Sequence, residues 1–450
     1  MVDTPDTEAR TQEIGRALFA ALAEQGSLRS TSSLLSGRAI QRRLLTQAVE
    51  DEHFRARLFR FIDVYPSLRD SGDLVRHLRS YLDDRGETPP PLDRLLASGA
   101  AQRLPSWAIA RLTDRAMQRM AKGLVAGHDA SEALPTLRRL HRKHTGFTIG
   151  ILGETCLSEA EAQVYLQRCL DLIDTLAPRV ATWPEDSLVG PSPAGNLPRL
   201  DLSIKLSSVY PRIDPLDVEG ARETIVSRLK PLFLKAKTAG AFINLDLERS
   251  CCRDLTYAVF SDLAMDKDLR DYPHVGVVVQ AYLRDSDNDL RLLVDVAQKR
   301  GTPITVRLVK GAYWDYEIVS AAQEHRPAPV FTRKAETDAQ FERLSALLIE
   351  NRQHTRPALG THNIRSMAAG LAAAEAADAP SGAVELQMLH GIAERIRCAA
   401  VDQGYRVREY VPVGESIPGM SYLLRRLLDN TSGDSFLLHT FAQQPDVEQM

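Results

Sequence analysis

From about residue 145 onward, runs of buried-strand character alternate with runs of helical spacing. This alternation is typical of a parallel sheet in which a helix follows each strand. About eight such units over about 285 residues match the usual size of a (β/α)8 TIM-type barrel. A doubly wound open sheet is the alternative fold, but no GxGxxG motif follows any predicted strand. The predicted strands are Phe147–Leu152, Leu202–Leu206, Ala241–Leu245, Val275–Gln280, Ile304–Val309, Ala358–Gly360, Val384–Leu389 and Val407–Pro412.

The first part of the chain shows helical spacing of its apolar residues and no convincing strand. A proline run, Pro89–Pro91, interrupts the helical series and predicts a rigid linker. We therefore predict an all-helical arm and helical domain over residues 1–140. The barrel is predicted over residues 141–450, with a short C-terminal tail. Within it, the Pro/Gly-rich segment Pro178–Pro198 predicts a long loop.

Charge and motif content argue against several classes of protein. A net charge of −3 leaves no basic field for nucleic acid. No apolar run reaches membrane-spanning length and no signal peptide precedes the polar start, so we expect a cytoplasmic protein. The five cysteines show no CxxC spacing and the eleven histidines form no HExxH motif. We therefore predict no metal.

Polar side chains stand at or near the carboxyl end of nearly every predicted strand. They are Glu154, Lys205, Asp246, Gln280, Arg307, Lys310, Thr361, His362, Asn363, Gln387, His390 and Tyr410, followed by Arg425 and Arg426 on the last helix. Because the carboxyl ends of barrel strands meet at one shared site, we expect these side chains to lie together. Ordinary structural alternatives exist. Lys205 and Asp246 can form a structural ion pair, and His362 can be a satisfied core histidine.

The charges of this set indicate the kind of ligand. Cations outnumber carboxylates, so the site is expected to hold an anion. Arg425 and Arg426 suit a carboxylate, which they can hold with forked hydrogen bonds, although alone they would be a solvated helix face. No nucleophile–base pair stands out, which favours a reaction carried by a cofactor. Two alternatives stay open: a Schiff-base aldolase with Lys205 or Lys310 as its amine, and a non-catalytic scaffold that binds a partner.

Several motifs stand at these strand ends in a defined order and spacing. They are Leu202–Ser208, Asn244–Glu248, Val306–Asp315, Thr332–Lys334, Thr361–Asn363, Leu389–Gly391, and Tyr410 followed by Arg425, Arg426 and Leu427. Together they resemble the proline dehydrogenase unit of the proline utilization A family, which are bifunctional flavoenzymes of bacteria. The resemblance runs from about residue 145 to residue 432, and the helical N-terminal part, notably Phe54–Leu68, resembles the arm and helical domain of that family.

This resemblance implies a barrel that holds FAD at the carboxyl ends of its strands. It implies that L-proline is oxidised to Δ1-pyrroline-5-carboxylate by hydride transfer to the flavin, the first step of proline catabolism. The expected electron acceptor is a quinone, reached by docking at the inner face of the membrane. The bifunctional family continues into an aldehyde dehydrogenase domain, and no second catalytic domain fits after Arg426. We therefore expect either a truncated bifunctional enzyme or a member with one activity, whose second step needs another domain or partner.

The resemblance also assigns the residues that bind the substrate. Arg425 and Arg426 are expected to hold the proline carboxylate, and Lys205 to add its charge to that pocket. Tyr410 is expected to pack against the proline ring and exclude a hydroxyl-bearing analogue. Glu154 is expected to pair with Arg425 as a lid over the bound proline.

The same resemblance assigns a catalytic set and a cofactor site. In the catalytic set, Asp246 positions Lys205 or the ring nitrogen. Arg307 lies near the flavin ring, where a cation stabilises the reduced anionic flavin. The family often has an acidic residue where this chain has Gly150, which puts a hydrogen bond near the first strand in question. The residues implied to contact the cofactor are Gln280, Arg307, Lys310, Gly311, Ala312, Tyr313, Trp314, Thr332, Arg333, Lys334, Thr361, His362, Asn363, Gln387 and Leu389.

Overall fold

A computed structural model describes most of the chain, and several sequence predictions fall outside the part that it describes. The described residues are 5–27, 51–82, 105–153, 155–190, 196–214 and 216–415. The predicted linker Pro89–Pro91, the predicted lid residue Glu154, and the carboxylate-binding residues Arg425 and Arg426 lie outside these ranges. Their assignments remain predictions.

Eight parallel strands close into a barrel in which neighbours in the sheet are neighbours in the chain. The closing pair, β1 with β8, extends from Thr145 opposite Val407 to Ile151 opposite Val413. This closure confirms the predicted (β/α)8 barrel, since a doubly wound sheet would leave two open edges. The strands are β1 Thr145–Ile151, β2 Asp201–Lys205, β3 Phe242–Asp246, β4 Val275–Gln280, β5 Ile304–Val309, β6 Thr355–Gly360, β7 Glu385–Leu389 and β8 Arg406–Val413.

Helices between the strands cover the outside of the barrel, which buries the strands on both faces. Two of these helices end at glycines in the left-handed conformation, Gly240 with φ 64° and Gly301 with φ 75°. Such a residue ends a helix without the strain that a side chain would add, and the chain then turns into β3 and β5. The barrel helices are Glu159–Ala181, Val218–Ala239, Arg253–Met265, Ser286–Arg300, Trp314–Gln323, Lys334–Glu350, Ile364–Ala376 and Glu394–Asp402.

The N-terminal region is helical, as predicted. Its first helix packs on the outside of the barrel against Ile364–Ala376, where both terminal nitrogens of Arg365 donate to the Glu8 carboxylate at 2.9 Å. After the helix Ser106–Leu124, Ala126 N donates to the Pro412 carbonyl of β8 at 2.9 Å. None of the described helices is both long and apolar enough to cross a membrane. Among the described residues, the α-helices that precede β1 are Pro5–Ser27, Glu52–Val64, Ser71–Leu82, Ser106–Leu124 and Ala130–His141.

Proline positions account for two differences between predicted and observed elements. The helix Glu159–Ala181 continues through Pro178, where a loop was predicted to begin. Proline removes one helical hydrogen bond, but Leu176 and Val180 on either side of it are buried and keep the last turn packed. Similarly, β6 begins at Thr355 rather than after Pro357. The predicted division of the chain at residue 140 stays a prediction.

Candidate active site

Asp246, the last residue of β3, lies at the centre of a polar cluster at the carboxyl end of the barrel. Its Oδ1 atom accepts a hydrogen bond from Arg307 Nη1 at 2.8 Å, and its Oδ2 atom accepts one from the Tyr410 hydroxyl at 3.1 Å. Asn244 Nδ2 donates to Oδ1 at 3.1 Å. The Arg307 guanidinium carbon also lies 5.7 Å from the centroid of the Tyr410 ring. Strands β3, β5 and β8 thus bring a carboxylate, a guanidinium and a phenol into contact.

The register of the strands explains why residues far apart in sequence meet here. Lys205 on β2 is the register partner of Asp246 on β3, and its side chain is buried. Side chains two residues apart on a strand share a face, so Ser203 and Asn244 point into the barrel beneath these charged residues. Ser203 Oγ accepts a hydrogen bond from Arg307 Nη1 at 2.9 Å. Ser203 and Asn244 belong to the motifs Leu202–Ser208 and Asn244–Glu248, but they were not predicted as site residues, although the period-two spacing could have identified them.

The Arg307 charge is removed from water, since the residue is only 5% exposed. A buried guanidinium needs a paired charge, which Asp246 supplies at 2.8 Å. Arg307 Nε is also buried, and no described residue accepts a hydrogen bond from it. An unmet buried donor costs about 1–3 kcal/mol. Arg307 is therefore held firmly by one nitrogen while another is available to a bound group.

The position of Tyr410 depends on the absence of a side chain at Gly150. A Cβ atom at Gly150 would overlap both the hydroxyl and the ring of Tyr410. The family often has an acidic residue where this chain has Gly150, so a hydrogen bond near β1 was in question. In this structure the Tyr410 hydroxyl donates to Asp246 on β3, so a carboxylate from another strand accepts the bond.

Lys310 and Gly311 follow directly after β5. Lys310 forms an ion pair with Asp338 of the helix Lys334–Glu350. Burial lowers the pKa of Lys310, and the Asp338 carboxylate acts against that decrease. Gly311 has φ 131°, and a Cβ atom there would overlap the Tyr282 ring, so the position requires glycine. Sequence reasoning missed Asp338, because nothing in helical spacing distinguishes it from a solvated carboxylate.

Gln280, the last residue of β4, presents a fixed hydrogen-bond acceptor. Its Nε2 atom donates to the carbonyl oxygens of Leu247 at 3.0 Å and Glu248 at 2.9 Å. Its Oε1 atom is buried and has no hydrogen-bond partner among the described residues. Trp314 lies on the rim of the same end, where its indole donates to the Phe331 carbonyl at 2.8 Å. The Gln280 amide oxygen is thus oriented and available to a donor on a ligand.

His362 follows β6 and accepts a hydrogen bond at Nε2 from Leu389 N at 3.0 Å. Burial lowers the pKa of His362 to about 4, so the ring is neutral near pH 7 and carries its proton on Nδ1. A purely structural role for His362 thus explains the hydrogen bond at Nε2. The protonated Nδ1 atom remains a hydrogen-bond donor. The side chains of the neighbouring residues accept hydrogen bonds from backbone nitrogens. Thr361 Oγ1 accepts from Asn363 N, and Asn363 Oδ1 accepts from Ser366 N at 2.9 Å and so caps a helix.

The remaining residues assigned to the cofactor lie in β7, directly after β5, and at the start of the helix Lys334–Glu350. Gln387 lies within β7, as the predicted strand Val384–Leu389 implies, and its Nε2 atom donates to Glu385 Oε1 at 2.7 Å, towards the amino end of the barrel. Arg333 pairs with Glu336 at 2.9 Å at the start of a helix. Ala312 and Tyr313 are half-buried, whereas Thr332, Arg333 and Lys334 are exposed.

The fold and the cluster together are those of a barrel enzyme. Barrels of this kind carry their active sites at the carboxyl ends of their strands, and buried charge with unmet hydrogen-bonding capacity lies at that end here. The family model for proline dehydrogenase matches residues 133–439. The model for the proline utilization A N-terminal domain matches residues 8–123. The chain belongs to the proline dehydrogenase family, as a unit of the proline utilization A type.

Individual relatives agree with this assignment. The chain is 31% identical over 331 residues to the bifunctional protein PutA of Escherichia coli (strain K12), which covers 72% of this chain and 24% of that protein. It is 27% identical over 318 residues to proline dehydrogenase 1 of Bacillus subtilis (strain 168), which covers 71% of this chain and 89% of that protein. The solved structure of proline utilization A from Bdellovibrio bacteriovorus, inactivated by N-propargylglycine, superposes with a TM-score of 0.87 at 37% identity, over 99% of this chain and 44% of that one.

These comparisons confirm the resemblance seen in the sequence. The chain spans about a quarter of the length of the bifunctional relatives that it matches. The match to the Bacillus relative, by contrast, covers 89% of that protein. The family assignment gives no support to a Schiff-base aldolase or to a non-catalytic scaffold.

Proposed function

We propose that this chain catalyses the FAD-dependent oxidation of L-proline to Δ1-pyrroline-5-carboxylate, as the first step of proline catabolism. Membership of the proline dehydrogenase family supports the substrate and the reaction. The observation that carries the proposal is the contact between Arg307 and Asp246 at 2.8 Å inside the barrel. It fixes a cation at the end of the barrel where such enzymes bind ligands, and a fixed cation suits a reaction that delivers negative charge to a cofactor.

The described residues fit a flavin, whose polar edge has both hydrogen-bond donors and acceptors. Gln280 Oε1 offers a buried acceptor and Arg307 Nε a buried donor, neither with a partner among the described residues. His362 Nδ1 offers a further donor, and Gly311 allows close approach of the backbone. The remaining residues proposed to hold the cofactor are Lys310, Ala312, Tyr313, Trp314, Thr332, Arg333, Lys334, Thr361, Asn363, Gln387 and Leu389.

The bound flavin supplies the chemistry of a two-electron acceptor that takes a hydride from the substrate carbon. The protein supplies position and charge. Arg307, held by Ser203 and Asp246, stabilises negative charge on the accepting ring without moving during the reaction. Tyr410, held by Asp246 at 3.1 Å, provides a fixed wall for the proline ring.

On the substrate side we assign the proline carboxylate to Arg425 and Arg426, with Glu154 closing over it as an ion-pair lid. These three residues lie outside the described ranges. Lys205 is buried beside Asp246 and adds positive charge for the carboxylate. Closure of such a lid would exclude water, which strengthens every charge interaction inside the site.

We further propose that the electrons pass to a quinone-type acceptor at a membrane surface. The Escherichia coli relative is named as bifunctional, and this chain spans 24% of its length. The aldehyde-oxidising step is therefore assigned to an aldehyde dehydrogenase domain or partner outside these residues.

A direct test combines a visible spectrum with an activity assay. Purified protein supplied with FAD should show flavin absorption and reduce a dye in the presence of L-proline. N-propargylglycine, which inactivated the Bdellovibrio relative, should abolish this activity. Borohydride treatment with a carbonyl substrate should trap no adduct on Lys205 or Lys310. Protein that binds no FAD and reduces no dye with L-proline would contradict the proposal.

A further inference from the structure

Two adjacent cysteines lie in the segment that follows β3, outside the cluster described above. Cys251 is exposed and Cys252 is buried. Their sulfur atoms are 3.8 Å apart and within hydrogen-bonding contact. An exposed thiol with a second thiol beside it is the arrangement in which an oxidised cysteine can be resolved as a disulfide.

The groups around the pair favour the thiolate of Cys251. The hydrogen bond from Cys252 and the Arg249 guanidinium lower the pKa of Cys251 to about 6, whereas burial and Glu317 act in the opposite direction. Arg326 is a further cation that interacts with Cys251. The pKa of Cys252 is raised, chiefly by its bond to Cys251. One thiol is therefore prepared as a nucleophile while the other keeps its proton.

The segment that carries the pair is anchored at both ends. Ser250 donates from its backbone nitrogen and its hydroxyl to the two carboxylate oxygens of buried Glu317, both at 2.6 Å. Gln280 donates to the Glu248 carbonyl at 2.9 Å, and the Glu248 carboxylate also faces Cys252. After the pair, Thr256 Oγ1 donates to the Cys252 carbonyl at 2.7 Å. The backbone on either side of the thiols is thus held by hydrogen bonds, so rotation of the two side chains controls the distance between the sulfur atoms.

We propose that Cys251 and Cys252 form a reversible redox site at which a hydroperoxide oxidises the pair to a disulfide. The Cys251 thiolate attacks one oxygen of the peroxide bond and becomes a sulfenic acid. The other oxygen leaves and takes up a proton. The Cys252 sulfur then attacks the Cys251 sulfur, and its proton leaves with the displaced hydroxide as water. The pair loses two electrons, and hydrogen peroxide is reduced to two waters.

The resulting disulfide should be easy to reduce. Consecutive Cα atoms lie about 3.8 Å apart, which is below the range of about 4.4–6.8 Å usual for disulfides. A bond made under this constraint is strained, and strained disulfides are the labile and regulatory ones. We therefore expect the pair to be reduced at rest, oxidised by peroxide, and restored by dithiothreitol.

The test measures thiols in the full chain by mass spectrometry and needs no enzyme activity, so its result is independent of the proposed function. After treatment with hydrogen peroxide, the peptide that contains Cys251 and Cys252 should lose two hydrogens and take up no iodoacetamide. Dithiothreitol should restore both alkylation sites. Cys398, a half-buried thiol elsewhere in the barrel, is the internal control and should remain open to alkylation.

Single variants separate the two steps. Cys252→Ser should stop the reaction at the sulfenic acid of Cys251, which dimedone captures, whereas Cys251→Ser should leave the Cys252 thiol unoxidised. In the unchanged chain, alkylation of Cys251 should reach half its maximal rate near pH 6, compared with about pH 8.5 for an ordinary thiol. The proposal is overturned if the pair stays open to alkylation at peroxide concentrations that oxidise Cys398. Absence of a dimedone adduct in Cys252→Ser would also overturn it.

Discussion

Buried charged side chains are paired differently at the two ends of the barrel. At the amino end, Arg408 is held on several sides: its Nε donates to Glu385 Oε1 at 2.8 Å and its Nη1 to the Phe147 carbonyl at 2.8 Å. A second carboxylate, Asp201, lies 3.5 Å from Nη1. Burial alone would raise the pKa of Glu385, but the Arg408 charge keeps it below its usual value. Burial nevertheless raises the pKa of Asp201 to about 6, although Arg408 and Arg307 act against that increase. At this end the Arg408 guanidinium is surrounded by protein acceptors.

At the carboxyl end, hydrogen-bonding capacity is left over. Arg307 uses one nitrogen for both Ser203 and Asp246, while its buried Nε and the buried Oε1 of Gln280 meet no described residue. A cavity of about 340 Å³ is lined by Asp201, Glu385 and Arg408 and also by Arg307 and Asn244 of the Asp246 cluster. The cavity therefore does not distinguish the two ends of the barrel. We therefore propose a structural role for Arg408 at the amino end and a ligand-binding role for Arg307 and Gln280 at the carboxyl end.

The largest effect on stability is expected from Arg408→Met. This change leaves Glu385 and Asp201 as buried carboxylates without their guanidinium, and breaking a buried pair costs about 3–5 kcal/mol. The free energy of unfolding in urea should fall by that amount. Arg408→Lys, which keeps the charge, is the matched control and should cost less. A loss below about 1 kcal/mol for Arg408→Met would remove the contrast between the two ends.

The corresponding change at the carboxyl end, Arg307→Met, should mainly lower the turnover rate. Removing a fixed group that stabilises developing charge lowers turnover about 10²–10³-fold. Asp246 keeps its hydrogen bonds from Tyr410 and Asn244, so the stability cost should stay below that of Arg408→Met. Steady-state dye reduction and urea unfolding of the same sample measure both quantities. Near-normal turnover with a large loss of stability would show that Arg307 has a structural role and would contradict its assignment to the reaction.

A histidine at each end predicts how stability depends on pH. Burial lowers the pKa of His362 at the carboxyl end and of His274 at the amino end to about 4, and for His274 Arg356 adds to the effect. The unfolded chain takes up these protons at about pH 6.5, so stability is complete above that pH and is lost as pH falls towards 4. Each histidine accounts for at most roughly 3 kcal/mol of this loss.

Unfolding experiments between pH 4 and pH 6.5 test this dependence. His362→Gln and His274→Gln should each reduce the slope of stability against pH. Only His362→Gln should also weaken FAD retention, since His274 lies at the end assigned to structure. Unchanged slopes in both variants would show that these rings take up protons freely in the folded protein.

The smallest effect is expected at the contact between Tyr410 and Asp246. Tyr410→Phe removes one hydrogen bond and should lower kcat/KM roughly fivefold, which corresponds to a loss of about 1 kcal/mol of transition-state stabilisation. Gly150→Ala should displace the same ring and remove the same bond. The two changes should therefore be non-additive, because they act on one contact. Additive losses in the double variant would separate Gly150 from the position of Tyr410.

Much of the fold could be predicted because it follows from local patterns. Alternating strand and helix spacing determines a barrel, and β4 and β5 begin and end where the sequence predicts. The failures lie where packing outweighs local preference, as at Pro178, which stays in its helix between buried neighbours. No single-residue rule anticipates such a result, because it depends on residues that come from elsewhere in the chain.

The candidate site was less predictable than the fold. Polar strand ends identified Asp246 and Gln280, since parallel strands bring their ends together. Period-two spacing shows that Gln387 points into the barrel, but not that its amide turns towards Glu385. The Asp338 partner of Lys310 comes from a helix, where acidic residues are common. Sequence thus gives the face of a strand that a residue occupies, while the direction of a long side chain depends on its partners.

The most direct test of this account is anaerobic reduction of the bound flavin by L-proline, followed by its visible absorption in stopped flow. We predict rapid bleaching in the unchanged protein, bleaching at least about 10²-fold slower in Arg307→Met, and a rate within a few-fold of normal in folded Arg408→Lys. A flavin spectrum that L-proline does not change, or bleaching of Arg307→Met at the normal rate, would contradict the assignment of the reaction to the carboxyl end of the barrel.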